Sequence, residues 1–298
     1  MKSNYLPTDY QTFIATSRYA RWLDDKGRRE TWGETVERYI ENVVKPWLKP
    51  VDLEDVRNAI LGLEVMPSMR SLMTAGKAAE RDNTCMYNCS YLPVDDPKSF
   101  DEAMFILLCG TGVGFSVERQ FISKLPDVPT LFQSETTVVI KDSKEGWAKG
   151  LRQVLALLWA GEIPKWDVSK VRPAGARLKT FGGRASGPAP LIDLFNFAIT
   201  TFRQAQGRKL SSLECHDLMC KIGEVVVVGG VRRSAMISLS NLSDDRMRHA
   251  KSGNWWENAA HRALANNSVS YTEKPDSIAF MREWTALMES GSGERGIF

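Results

Sequence analysis

From Asp96 to Leu239 the chain switches repeatedly between helical and strand periodicity, and that alternation restricts it to the α/β class. Asp96-Pro97 is a helix start, with a carboxylate to cap free N–H groups and a proline suited to the first turn. Phe100, Ala103, Met104, Leu107 and Leu108 then make one apolar face, and Gly110 is placed to end it. Thr136 to Ile140 reads as a strand. A helix capped at Ser143 follows, burying Trp147, Leu151, Val154, Leu155 and Leu158 and stopping at Gly161. Leu191, Leu194, Phe195, Ala198 and Phe202 repeat the helical pattern, as does Ser212 to Ile222. Val225 to Val228 and Ala235 to Leu239 read as two strands joined through Gly229-Gly230. Ahead of this, Tyr19, Trp22, Trp32, Val36, Tyr39 and Val43 predict a helical region over residues 1–66, with a second unit from Pro67 to residue 298.

Charge and cysteine usage narrow the function classes. A net charge of +3, with Lys and Arg scattered among Asp and Glu, offers no basic stripe for nucleic acid and suits an anionic small molecule better. No apolar run is long enough to span a bilayer, and the N-terminus lacks a signal-peptide core, so no membrane partner is expected. Five cysteines without an export signal predict a reducing, cytoplasmic compartment.

Four segments could carry chemistry. Cys85 and Cys89 stand four apart in NTCMYNCSYLP, and taken alone each reads more readily as a small buried hydrophobe than as a redox thiol. The radical S-adenosylmethionine spacing fails, because Leu92 stands where a third cysteine is needed. In CGTGVGFSVER, Gly110, Gly112 and Gly114 let a backbone approach a ligand, or simply make a tight turn; a strand follows, so this is no dinucleotide fingerprint. KTFGGRASGPAP, with Gly182, Gly183 and Arg184, is a loop that could meet phosphate. VVVVGGVRRSAMIS, with Gly229, Gly230, Arg232, Arg233 and Ser234, is an anion loop or a hairpin with solvated arginines. His216, between Cys215 and Cys220, lacks the further ligands that structural zinc needs, so no metal site is expected.

Taken in order, MPSMRSLMTAG, NTCMYNCSYLPVDD, CGTGVGFSVER, KEGWAKG, RPAGARLKTFGGRASGP, VVVGGVRRSAMISLSN and RALANNSV resemble the N-terminal half of ribonucleotide reductases. The likeness is nearest to the adenosylcobalamin-dependent ribonucleoside-triphosphate reductases. It implies the first half of a ten-stranded α/β barrel, preceded by a small helical region. It also implies that Cys89 is one member of a redox-active dithiol. Ser68 and Ser71 would help hold substrate phosphates, Asn88 and Ser90 would lie near the ribose, and Gly110, Gly112 and Gly114 would line the substrate. Arg177, Gly182, Gly183, Arg184, Gly229, Gly230, Arg232, Arg233 and Ser234 fall in loops that would bind a deoxynucleoside triphosphate effector.

The same likeness implies adenosylcobalamin as cofactor, a ribonucleoside triphosphate as substrate and a thioredoxin-type reductant, all serving thiyl-radical deoxynucleotide synthesis for DNA. Two other readings stand beside it: an iron-dependent reductase large chain fed by a separate radical subunit, and a non-catalytic deoxynucleotide-binding remnant. The finger-loop motif Asn-Pro-Cys-x-Glu is absent from the 298 residues, as is the second cysteine of the dithiol. The expectation is therefore a fragment, a split product or the portion before an intein, inactive without a complementing C-terminal half. The stretch before Pro67 is also short for an ATP-binding activity domain, and residues 125–165 are a candidate for the insertion that monomeric relatives carry.

Overall fold

The computed structural model describes residues 6–176, 184–228 and 235–298. They fall into two compact units, residues 1–88 and 89–298, each built around its own apolar cluster.

In the first unit, α1 (Asp9–Ile14) and α2 (Trp32–Tyr39) both begin at capping boxes. Thr8 pairs with Gln11 and Thr31 with Glu34, each satisfying N–H groups that a helix start leaves free. Between them run β1 (Trp22–Leu23) and β2 (Arg28–Arg29), a short antiparallel ribbon. Trp22, expected on a helix, sits instead on this ribbon and is exposed, because the turn Asp24–Gly27 folds the chain back before another helical turn can form. The unit continues with α3 (Pro50–Leu61), α4 (Met69–Thr74) and α5 (Lys77–Arg81). Trp32, Val36, Ile40, Ile60 and Leu72 form its core. Arg38 reaches across it to Glu30 at 2.8 Å and to the Leu72, Ala75 and Tyr19 carbonyls. Residues 67–88 thus pack with the helical unit.

The second unit runs β3 (Cys89–Pro93), α6 (Lys98–Leu108), β4 (Gly112–Ser116), α7 (Arg119–Ile122), β5 (Phe132–Val139), α8 (Lys144–Trp159), β6 (Glu162–Asp167), α9 (Ala189–Gln204) and α10 (Ser212–Val228). It closes with β7 (Met236–Asn241), α11 (Asp245–Arg248), α12 (Trp255–Asn258), β8 (Ala265–Ser270), α13 (Ser277–Glu289) and β9 (Gly296–Ile297). Strands β3-β4-β7-β8-β9 form one sheet in that order, every pairing parallel. Five parallel strands with helical crossovers agree with a partial barrel. Strands β5 and β6 make a separate parallel pair linked by α8.

Local chemistry accounts for the helix boundaries. The Asp96 carboxylate accepts from Lys98 N at 2.8 Å, and Ser143 Oγ accepts from Gly146 N at 3.0 Å. α6 ends in a Schellman motif: Gly110, at φ +83°, donates to the Leu107 carbonyl and Thr111 to that of Ile106. Val225 to Val228, expected as a strand, is the last turn of α10. Cys215, Leu218, Met219, Ile222, Val225 and Val226 are all buried at helical spacing, so packing overrides the β preference of a valine run.

Candidate functional site

Pairing register decides which side chains share a face of the five-stranded sheet. Ser90, Leu92, Val113, Phe115, Met236, Ser238, Ala265, Asn267 and Val269 alternate onto one face, the side packed into the hydrophobic core with α6 and α10. The other face carries Cys89, Tyr91, Gly112, Gly114, Ser116, Ile237, Leu239, Asn241, Asn266 and Ser268. Cys89, Tyr91 and Asn266 are exposed on it. One register row runs Tyr91, Gly114, Ile237, Asn266.

Cys89 is the exposed thiol; Cys85, Cys109, Cys215 and Cys220 are buried. Its neighbour across the ladder is Gly112, which adds no side chain to the face. Gly114 is spatially constrained as well: a Cβ there would lie 3.3 Å from Ile237 Cγ2 and 3.5 Å from the Ser90 carbonyl oxygen. Gly110 is the helix stop, and the thiol before it, Cys109, accepts from Lys144 Nζ at 3.1 Å. Ser90 turns its hydroxyl to the Gly112 carbonyl at 2.9 Å. In the first unit, Asn88 Oδ1 accepts from Arg70 Nε at 3.2 Å, Ser68 precedes α4 and Ser71 lies within it.

At the C-terminal ends of β3, β4 and β7 a polar cluster closes the face. Ser116 Oγ donates to the buried Glu118 carboxylate at 2.7 Å, Gln120 donates to its other oxygen at 3.0 Å, and Asn241 links Arg119 N to Gln120. Partial burial holds the Tyr91 phenol above its usual range, the Glu118 and Asp95 carboxylates adding to this and Ser116 opposing it.

Of the loops expected to meet an effector, Arg184 is described: it is exposed and donates to the Gly175 carbonyl at 3.0 Å. Residues 175–176 pair with Ala185 through backbone hydrogen bonds. Arg177, Gly182, Gly183, Gly229, Gly230, Arg232, Arg233 and Ser234 lie outside the described residues.

Behind the sheet, fully buried His216 places Nδ1 3.0 Å from the Asp217 carboxylate and Nε2 3.0 Å from Asn267 Oδ1. Two acceptors call for a proton on both nitrogens. Burial works against that imidazolium, but the Cys220 sulfur and the Asp217 carboxylate outweigh it, and its pKa is pushed up to about 10. Arg262 grips Asp217 through two bonds of 2.6 and 2.7 Å. No cluster of metal-ligand type occurs among the described residues. Tyr91, Ser116, Glu118, Asn241 and Asn266 were not singled out from the sequence. The available signal was strand alternation, which is short in CSYLP and faint in the polar run ANNSVS.

The five-stranded sheet is all parallel, and the exposed Cys89 thiol stands beside the glycines of β4 on the face turned from the core. A solved B12-dependent (class II) ribonucleotide reductase superposes with a TM-score of 0.75 at 25% identity, over 87% of this chain and 45% of that one. The insertion domain of B12-dependent ribonucleotide reductases matches residues 126–201, which takes in most of the 125–165 stretch and continues through most of α9. The adenosylcobalamin-dependent ribonucleoside-triphosphate reductase of Lacticaseibacillus paracasei is 30% identical over 94% of this chain and 46% of its own length. That of Lactobacillus leichmannii is 28% identical over 85% and 43%. The matched family model, these relatives and this solved structure are all B12-dependent ribonucleotide reductases, the family this chain resembles. It spans about half the length of the curated relatives it matches.

Proposed function

We propose that this chain is the N-terminal part of an adenosylcobalamin-dependent ribonucleoside-triphosphate reductase that makes 2′-deoxyribonucleotides for DNA synthesis. The observation that carries the reading is the position of Cys89: an exposed thiol at the head of β3, on the face turned away from the hydrophobic core. Reduction of a ribonucleotide replaces the C2′–OH bond by C2′–H. The hydroxyl leaves as water, and two thiols supply two electrons as they close to a disulfide. Cys89 is one of those thiols; the other belongs to the part of the relatives' length not represented here. A thioredoxin-type reductant then reopens the disulfide by thiol exchange, which needs an accessible sulfur. A reducing, cytoplasmic compartment suits this chemistry.

The other residues divide the remaining work. Gly112 and Gly114 add no side chain of their own beside Cys89 and Tyr91, which lets the strand backbones pack closely there. Ser68, Ser71 and Asn88 are the proposed phosphate and ribose contacts, Ser90 supporting Cys89 from the core face through its bond to the Gly112 carbonyl, and the Arg177–Pro188 and Gly229–Ser234 segments are the proposed effector contacts. Adenosylcobalamin supplies, when bound, the radical that starts the reaction. No described residue is assigned to hold it. The insertion-domain match favours this cofactor over the iron-dependent alternative.

The test is a complete reductase containing residues 1–298, assayed for deoxynucleotide formation with adenosylcobalamin and a dithiol protein. Activity that requires adenosylcobalamin and disappears in Cys89→Ser is expected. Activity that instead requires an iron radical subunit, or that survives Cys89→Ser with the protein reductant, overturns the reading.

A further inference from the structure

The start of α8 lies against the end of α6, and their contact joins an amine to a thiol. Ser143 caps α8 through Gly146 N, which fixes Lys144 at the first helical position. A cation there opposes the dipole of its own helix, so α8 gives no reason for it. Its ammonium reaches instead to the C-terminal end of α6, where a cation is favoured. Nζ lies 3.1 Å from Cys109 Sγ and 5.6 Å from the centroid of the Phe105 ring. Cys109, the C-cap of α6, is fully buried and held by its N–H to the Phe105 and Ile106 carbonyls, while Lys144 is half-buried.

The four buried cysteines keep different company. Cys85 turns its thiol to the Asp82 carbonyl, Cys220 lies 3.6 Å from His216 Nε2, and burial holds the Cys215 thiol far above its usual range. Among the described residues, Cys109 is the one of the four with a primary amine at hydrogen-bond distance. A neighbouring ammonium favours the thiolate, which is the form that peroxides oxidise.

We propose that Cys109 and Lys144 are an oxidation site, closing to a covalent nitrogen–sulfur bridge when the protein meets hydrogen peroxide. The thiolate attacks one peroxide oxygen, the O–O bond breaks, and the sulfur becomes a sulfenic acid. The departing hydroxide takes a proton from the Lys144 ammonium and leaves as water, which frees the lone pair of the amine. That amine attacks the sulfur, the S–O bond breaks, and the second hydroxide removes the excess proton from nitrogen. One thiol, one amine and one peroxide thus give one sulfenamide and two waters; sulfur loses two electrons and peroxide gains them. Burial keeps a second protein's thiol from the sulfenic acid, so the adjacent amine intercepts it. Peroxide is close to water in size and enters from the half-exposed Lys144 side. A dithiol reverses the bridge: one thiol takes the sulfur and releases the amine, and the second closes a disulfide and releases Cys109. While closed, the bridge ties the start of α8 to the turn that feeds β4, the strand whose Gly112 faces Cys89.

The test treats a complete reductase containing residues 1–298 with hydrogen peroxide, digests it without reductant and maps the peptides by mass spectrometry. The expected product joins Lys144 to Cys109 with the loss of two hydrogens, and dithiothreitol returns both free side chains. A bridge that keeps the oxygen supports the same pairing, with one further peroxide consumed. The reading needs no variant, so it stands whether or not substitutions fold. In Lys144→Arg, which keeps the cation but not the nucleophile, the bridge should be lost, and a sulfenic-acid probe such as dimedone should label Cys109 instead. Cys109 recovered as an unchanged thiol, or as sulfinic or sulfonic acid beside a free Lys144, overturns the proposal. So does a Cys109 bridge to any other residue.

Discussion

Cys89 stands directly across from Gly112 at the heads of two adjacent parallel strands, so the thiol borders a stretch of sheet that carries no side chain. That pairing leaves the sulfur accessible while the side chain on its other flank, Ser90, is tied to the Gly112 carbonyl.

An exposed thiol contributes little to packing. Cys89→Ser should therefore change stability by no more than about 0.5 kcal/mol. In the complete reductase it should abolish multiple turnover with the dithiol reductant. Urea unfolding and a deoxynucleotide assay on the same preparation check both halves.

His216 sets the alkaline limit. Its folded pKa, about 10, lies above the value near 6.5 of a free imidazole. The stabilisation is therefore complete below about pH 6.5 and lost as pH rises through about 10. Urea midpoints should fall between pH 7 and pH 10.5, with a loss on the order of a few kcal/mol. In His216→Gln the chain should start less stable and show a flatter alkaline limb.

Glu283 works at the acid end. Burial alone would raise its pKa, but Arg295 and Arg248 hold it below the usual carboxylate range. Its contribution is present above the unfolded value and lost as pH falls through the lower folded one. Glu283→Gln strands the buried Arg295 guanidinium and should cost about 3–5 kcal/mol, read as a drop in the urea midpoint.

Two glycines of α8 should respond differently to alanine. A Cβ at Gly146 would run into the Lys141 backbone carbonyl, whereas at Gly150 it would meet the end of the Ile140 side chain. Backbone cannot yield as a side-chain terminus can. Gly146→Ala should cost about 1–3 kcal/mol and Gly150→Ala clearly less, both measured by chemical unfolding.

The helices were legible wherever a cap and an apolar stripe coincided, as at Asp96, Gly110 and Ser143, because both signals act within a few residues. The ordered motifs identified the family and pointed to Cys89. Local pattern failed where packing outweighed propensity: the valines ending α10 are helical because the buried stripe of Cys215, Met219 and Ile222 continues through them. It also failed for β8, whose polar sequence becomes a strand because Met236 to Asn241 offers it a parallel partner. The open face that gathers Cys89, Gly114, Ile237 and Asn266 exists only through register between strands up to 177 residues apart in the chain (266 − 89). No local signal encodes that distance. Sequence by itself determined the helices in which a cap and an apolar stripe coincide, and its motifs singled out Cys89. Tertiary structure decided which side chains share its face, because pairing register is set by the whole packed core.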